Sequence, residues 1–131
     1  MKADRILNPE LIRQIARLGH TQSMVICDAG LPIPEGIPVV DISLVRGAPS
    51  LRQAMEAVAA ELVAEACVYA AEAEEQNPGF MDDLRAIFPG LPSRAVAHEE
   101  FKRLCAGASF FLRTGEASSY ANVILIGGVN F

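Results

Sequence analysis

Apolar and polar positions alternate along this chain between two periods, and the switches between them outline the elements. Asn8-Pro9-Glu10 combines a capping side chain, a proline at the first helical position and an acid in the first turn. Leu11, Ile12, Ile15 and Leu18 follow at helical spacing, and Gly19 stands where a helix-terminating C′ glycine belongs. Met24–Cys27 is a short apolar run that reads as a buried strand, with Asp28 at its carboxyl end. Leu31-Pro32-Ile33-Pro34 is a proline-stiffened loop, and Val39–Ile42 a second strand. Ser50 caps a helix predicted to run to about Ala64, with Leu51, Ala54, Met55, Val58 and Leu62 on one side. Ala66–Ala71 reads as a third strand and Glu72–Gln76 as a polar connection. Asn77-Pro78 repeats the cap-plus-proline signal and opens a helix through Met81, Leu84, Ile87 and Phe88. Arg94–Ala97 is strand-like with His98 at its end, Glu99–Cys105 a short helix, Ser109–Leu112 a strand, Thr114–Ser119 a polar turn, and Asn122–Ile126 a last strand. Short apolar runs alternating with helices predict an α/β fold. The expectation is one three-layer αβα domain over residues 1–131 with a largely parallel sheet.

Composition narrows the classes. The chain has 131 residues, 51% hydrophobic and only 21% charged, which excludes disorder and predicts buried strands or a substantial subunit interface. A formal charge of −5 without a Lys/Arg cluster argues against a nucleic-acid partner or an anionic membrane surface. No apolar run reaches the roughly 18 residues of a membrane span, and MKADRILNPE has no apolar signal-peptide core. Cys27, Cys67 and Cys105 sit among apolar neighbours and read as buried free thiols. A soluble cytoplasmic protein is expected.

Candidate chemistry gathers at element ends. In open α/β sheets ligands bind outside the carboxyl ends of strands, which is where Asp28 stands, with His20 a few residues upstream. Asp28 equally suits a turn cap. His20 and His98 are the only histidines, and imidazole is the natural proton shuttle near neutral pH. Tyr120 and Asn122 would share one face if their segment is extended, offering a phenol and a carboxamide suited to sugar hydroxyls or to a cross-strand polar pair. Lys102 shares a helix face with His98 if that helix starts at His98, or is an ordinary solvated lysine. No CxxC or HExxH is present, so no metal is expected. The turn after Cys27 lacks the G-x-G-x-x-G of a dinucleotide site, Gly127-Gly128 has no helix after it, and no G-x-S-x-G occurs.

Six blocks, I-L-N-P-E-L, L-G-H-T at 18–21, D-A-G-L-P-I-P at 28–34, H-E-E-F-K at 98–102, R-T-G-E at 113–116 and Y-A-N-V-I-L at 120–125, resemble the D-ribose pyranase family in order over essentially the whole chain. The sister group, the L-fucose mutarotases, shares the glycine-histidine, the strand-end D-A and the T-G-E…Y-x-N blocks. It lacks G-L-P-I-P and H-E-E-F-K, so the chain resembles the ribose branch. The tail G-G-V-N-F departs from the usual pattern of an apolar residue before the final aromatic. The resemblance implies cofactor-independent interconversion of the β-pyranose and β-furanose forms of D-ribose. His20 would be the proton donor, and Asp28, His98, Tyr120 and Asn122 sugar-binding, with Lys102 a further contact. It also implies ring-shaped homodecamers with sites where subunits meet. Competing expectations are a mutarotase of another sugar such as L-fucose, a non-catalytic sugar-binding accessory of ribose uptake, and a purely structural ring-former.

Overall fold

The computed structural model describes all 131 residues. Its elements run α1 (Pro9–Arg17), β1 (Ser23–Cys27), β2 (Val39–Asp41), α2 (Leu51–Ala59), β3 (Ala64–Ala70), α3 (Ala73–Gln76), α4 (Pro78–Ile87), β4 (Ser93–Val96), α5 (His98–Cys105), β5 (Phe110–Arg113) and β6 (Val123–Gly127). The strands form one six-stranded sheet in the order β2-β5-β1-β6-β3-β4. β2, β5 and β1 pair in parallel, as do β3 and β4, while β6 lies antiparallel between β1 and β3. The expected largely parallel sheet is therefore present, with one reversed strand in its interior.

Strand alternation divides the core into two layers. Met24 and Ile26 face the cluster that also holds Leu11 and Ile15 of α1, Met55 and Val58 of α2, and Phe80, Met81 and Leu84 of α4. Val25 and Cys27 face the opposite layer, where Phe101 and Cys105 of α5 pack with Phe111, Val68 and Leu31. A strand buried on both faces is apolar at successive positions, which is why Met24–Cys27 lacks polar alternation. Phe101 is fully buried and anchors α5. Burying such a ring contributes about 1.5–3 kcal/mol.

The capping signals act as expected. Leu11 N–H donates to Asn8 Oδ1 at 2.9 Å and Phe80 N–H to Asn77 Oδ1 at 3.2 Å. Ser50 and Gln53 form a reciprocal capping box at α2. α5 is capped from a distance: its His98 N–H donates to both Glu72 oxygens, at 3.0 and 3.1 Å. A carboxylate at a helix N-terminus is favoured by the aligned peptide dipoles.

Several boundaries differ from expectation. α2 stops at Ala59 instead of about Ala64, because β3 already begins at Ala64 to pair with β6; Leu62 keeps its apolar contact without helix. Glu72–Gln76 is not merely a connection, since Ala73–Gln76 makes one helical turn. Gly19 is not a left-handed C′ residue. The helix ends through Leu18 in an extended conformation, Gly19 N–H donates to Gln22 Oε1 at 2.7 Å, and the left-handed residue is Thr21 (φ 68°). No helix is long and apolar enough to cross a membrane.

Candidate active site

The carboxyl end of β1 is closed by a dense set of hydrogen bonds. Asp28 Oδ1 accepts from Gly30 N–H at 2.9 Å and Leu31 N–H at 2.8 Å, so the aspartate does cap the turn after the strand. Its other oxygen accepts from Asn122 Nδ2 at 3.1 Å, and Asn122 Oδ1 accepts from the Asp28 N–H at 2.8 Å. Asn122 is only 1% exposed, so its carboxamide is committed to Asp28 from behind. Thr114 adds a second tie: its hydroxyl donates to Cys27 O at 2.8 Å. Burial, reinforced by the neighbouring Asp28 charge, pushes the Cys27 thiol up to about 12, so it stays a neutral packing group.

His98 and Tyr120 form the other wall. Their rings meet edge to face with centroids 5.1 Å apart, and His98 stacks on Phe101 at 6.4 Å. The Glu72 carboxylate and the buried Phe101 ring fix His98 from two sides, and its Nδ1 is buried without a hydrogen-bond partner. Tyr120 is not extended: it is left-handed (φ 57°), and Asn122 N–H donates to Tyr120 O at 2.9 Å. The shared-face expectation for Tyr120 and Asn122 thus fails, because a tight turn sends Tyr120 to the cavity and Asn122 beneath Asp28. Asp28, Gly30, Leu31, Pro32, Gln76, His98, Ser119 and Tyr120 line an open cavity of about 300 Å³. A more voluminous depression beside Val63 and Phe88, about 440 Å³, is mostly apolar and carries no such convergence of polar groups.

Two predicted residues lie outside this cluster. Lys102 does share α5 with His98, but its Nζ pairs with Glu99 Oε1 at 2.7 Å and does not line the cavity. His20 precedes β1 whereas Asp28 follows it, so the five residues of the strand separate them by about 16 Å at about 3.3 Å per residue. His20 and Asp28, a few residues apart in sequence, therefore do not meet within one chain. His20 is half exposed, and its Nε2 lies 2.9 Å from Glu65 Oε2.

A family model described as the RbsD / FucU transport protein family matches residues 1–130. The chain belongs to this family. Among its RbsD / FucU relatives, the D-ribose pyranase of Geobacillus kaustophilus (strain HTA426) is 47% identical over 131 residues, covering 100% of this chain and 96% of that protein. The D-ribose pyranase of Laribacter hongkongensis (strain HLHK9) is 46% identical over 100% of both. The structure of Bacillus subtilis RbsD complexed with D-ribose superposes with a TM-score of 0.96 at 40% identity, covering 100% of both chains. The fucose mutarotase from Streptococcus pneumoniae, solved with L-fucose, shares the fold with a TM-score of 0.80 at 20% identity over 95% of each chain.

Sequence reasoning missed Gln76, Ser119, Glu72 and Glu65. Gln76 and Ser119 fall in segments read only as polar connections. Glu72 and Glu65 act across long sequence separations, for which the local pattern carries no signal.

Proposed function

We propose that this chain interconverts the β-pyranose and β-furanose forms of D-ribose through the open-chain aldehyde. The observation that carries this reading is full-length similarity to D-ribose pyranases. The cavity chemistry supports it: a carboxylate, an imidazole and a phenol together accept from and donate to sugar hydroxyls.

Opening the pyranose breaks the bond between the anomeric carbon and the ring oxygen. A proton goes to the ring oxygen and one leaves the anomeric hydroxyl. Closing through the neighbouring hydroxyl on the same aldehyde forms the furanose and reverses both transfers. Positioned acid/base groups give about 10²–10⁴-fold on such steps, which suffices for a reaction that already proceeds in water. The only nucleophile is the sugar's own hydroxyl, and the balance needs no hydride transfer and no Lewis acid.

In this reading His20 is the proton donor. Asp28, His98 and Tyr120 bind the sugar, Asn122 holds Asp28 in its binding geometry, and Lys102 is an outer contact. The separation of His20 from Asp28 supports a site shared between copies, in which His20 of one copy faces the Asp28 cavity of the next. Such a head-to-tail contact gives a ring where its rotation closes, and the family resemblance supports a ring of ten copies. A cytoplasmic location goes with ribose that has already been taken up.

The test is exchange NMR on D-ribose with and without protein, with L-fucose in parallel. Faster β-pyranose to β-furanose exchange is expected. Unchanged ribose exchange overturns the reading, and acceleration of fucose anomers alone replaces it with a mutarotase.

A further inference from the structure

The end of the sheet opposite the cavity holds a second construction. β6 lies between β1 and β3, so the segments that carry His20 and Glu65 are two strand spacings apart, about 9.6 Å. Their side chains nevertheless meet at 2.9 Å. Three features bring them together. Ala64 pairs with Gly127 and Ala66 with Ile126, so Glu65 is the extra residue of a β-bulge. Bulges re-aim a side chain out of the ladder. A Cβ on Gly128 would stand 3.2 Å from Glu65 Cβ, and one on Gly127 would stand 3.0 Å from Gly19 O, so the glycine pair leaves room for both sides. Thr21 N–H donates to Gly127 O at 2.9 Å and Gly128 N–H to Val63 O at 2.8 Å, tying the His20 turn and the start of β3 to that same pair.

We propose that Glu65 is the positioning residue for His20, which keeps the imidazole proton on Nε2 and leaves Nδ1 as the atom that exchanges protons with the sugar. The inference rests on the reading of His20 as the proton donor. A carboxylate accepts hydrogen bonds and donates none when ionised, so the ring nitrogen facing it must carry the proton. In His–carboxylate pairs the partner at one nitrogen decides which tautomer the other presents. Nδ1 of His20 makes no hydrogen bond within the chain and the ring is half exposed, so that nitrogen is free to meet a substrate. When the imidazolium donates from Nδ1 to the ring oxygen, the neutral ring left behind is the Nε2–H tautomer that Glu65 holds. On closure the hydroxyl that forms the furanose gives its proton to Nδ1, the aldehyde oxygen takes back from solvent the proton that the anomeric hydroxyl released to solvent on opening, and Glu65 exchanges none.

The test uses the assembled protein labelled with 15N-histidine, with His20→Ala to assign the two histidines. Long-range 1H–15N spectra of neutral His20 are expected to show the Nε2–H tautomer. Glu65→Gln is nearly isosteric at a surface position, and its amide serves Nε2 equally as donor or acceptor. It is expected to lose the tautomer preference and to lower kcat for ribose exchange about 10–100-fold with KM within about twofold, a loss confined to the transition state. A wild-type Nδ1–H tautomer, or wild-type kcat in Glu65→Gln beside an inactive His20→Ala, overturns the role of Glu65 alone. Full turnover in His20→Ala overturns the reading of His20 and this inference with it.

Discussion

The two ends of β1 are built on opposite plans. At the Asp28 end, the groups are closely held: Asp28 accepts three hydrogen bonds, Asn122 and Thr114 are buried behind it, and His98 has its main-chain N–H on Glu72 and its ring stacked on Phe101. At the His20 end, a half-exposed imidazole meets one half-exposed carboxylate. The rigidity of the first end suits the proposed orienting of several sugar hydroxyls, which requires each ligand atom to be in place before the sugar arrives. The second end presents a single imidazole outward. On the proposed reading, recognition and proton transfer are separated along one strand, and a copy-to-copy contact would reunite them.

The largest effect that tests this contrast is the loss of the outward group. His20→Ala is expected to lower ribose exchange by about 10²–10⁴-fold while calorimetry shows ribose still bound. Loss of binding together with turnover would break the division of labour. Next comes mixing. His20→Ala and Asp28→Ala proteins, each inactive, are unfolded, combined and refolded together. Random head-to-tail assembly gives about one quarter of the contacts two intact halves, so about a quarter of native exchange should return. No recovery would mean that both halves act within one chain.

A smaller effect concerns rigidity at the Asp28 end. Asn122→Ala leaves the Asp28 N–H and one carboxylate oxygen without their partner, which is expected to cost about 1–3 kcal/mol in denaturant unfolding. Ribose affinity should fall with it, while His20 keeps its tautomer. The smallest concerns Glu116, whose Oε1 accepts from Leu51 N–H at 3.0 Å and whose backbone oxygen accepts from Ala29 N–H at 2.9 Å, bracing the Asp28 turn against α2. Burial raises its carboxyl, but the hydrogen bonds from Leu51, Ser118 and Ala117 outweigh that and hold it below the ordinary value of 4.5. A depressed carboxyl stabilises the fold above the ordinary value and loses that contribution as pH falls through the folded value. Glu116→Gln should therefore melt below wild type at pH 7, by the equivalent of about 0.5–2 kcal/mol for a lost cap, with the gap shrinking below pH 4.5. A gap that persists in acid would point to packing instead of charge.

The contrast also explains what the chain disclosed as sequence. Asn8, Ser50 and Asn77 cap the helices they announce, because a cap acts on residues two or three positions away. Met24–Cys27 declared a two-sided strand for an equally local reason. Asp28 and His98 stood out because they follow strands, where the fold class puts ligands, whereas the sugar-binding expectation for them and for Tyr120 came from the family resemblance. The direction of β6 was not legible, since its apolar run suits either sense and its pairing partners lie about sixty and a hundred residues upstream. The split between His20 and Asp28 was not legible, because residues close in sequence stand far apart when an extended strand lies between them. Tyr120 turned left-handed where alternation assumed extension. Glu65 could not be found, because its direction depends on a bulge and on two glycines supplied from the far end of the chain.

The reversed strand carries a consequence for biosynthesis. β6 is the last strand in the chain, yet it is the seam between the β2-β5-β1 half of the sheet and the β3-β4 half. A nascent chain still short of Val123 has two half-sheets with unpaired edges facing one another and no way to join them. Non-local pairings of this kind delay folding, and open edges invite association with other chains. The sheet can therefore close only after Val123–Gly127 has left the ribosome, and a chain cut before Val123 loses the strand that holds its halves together.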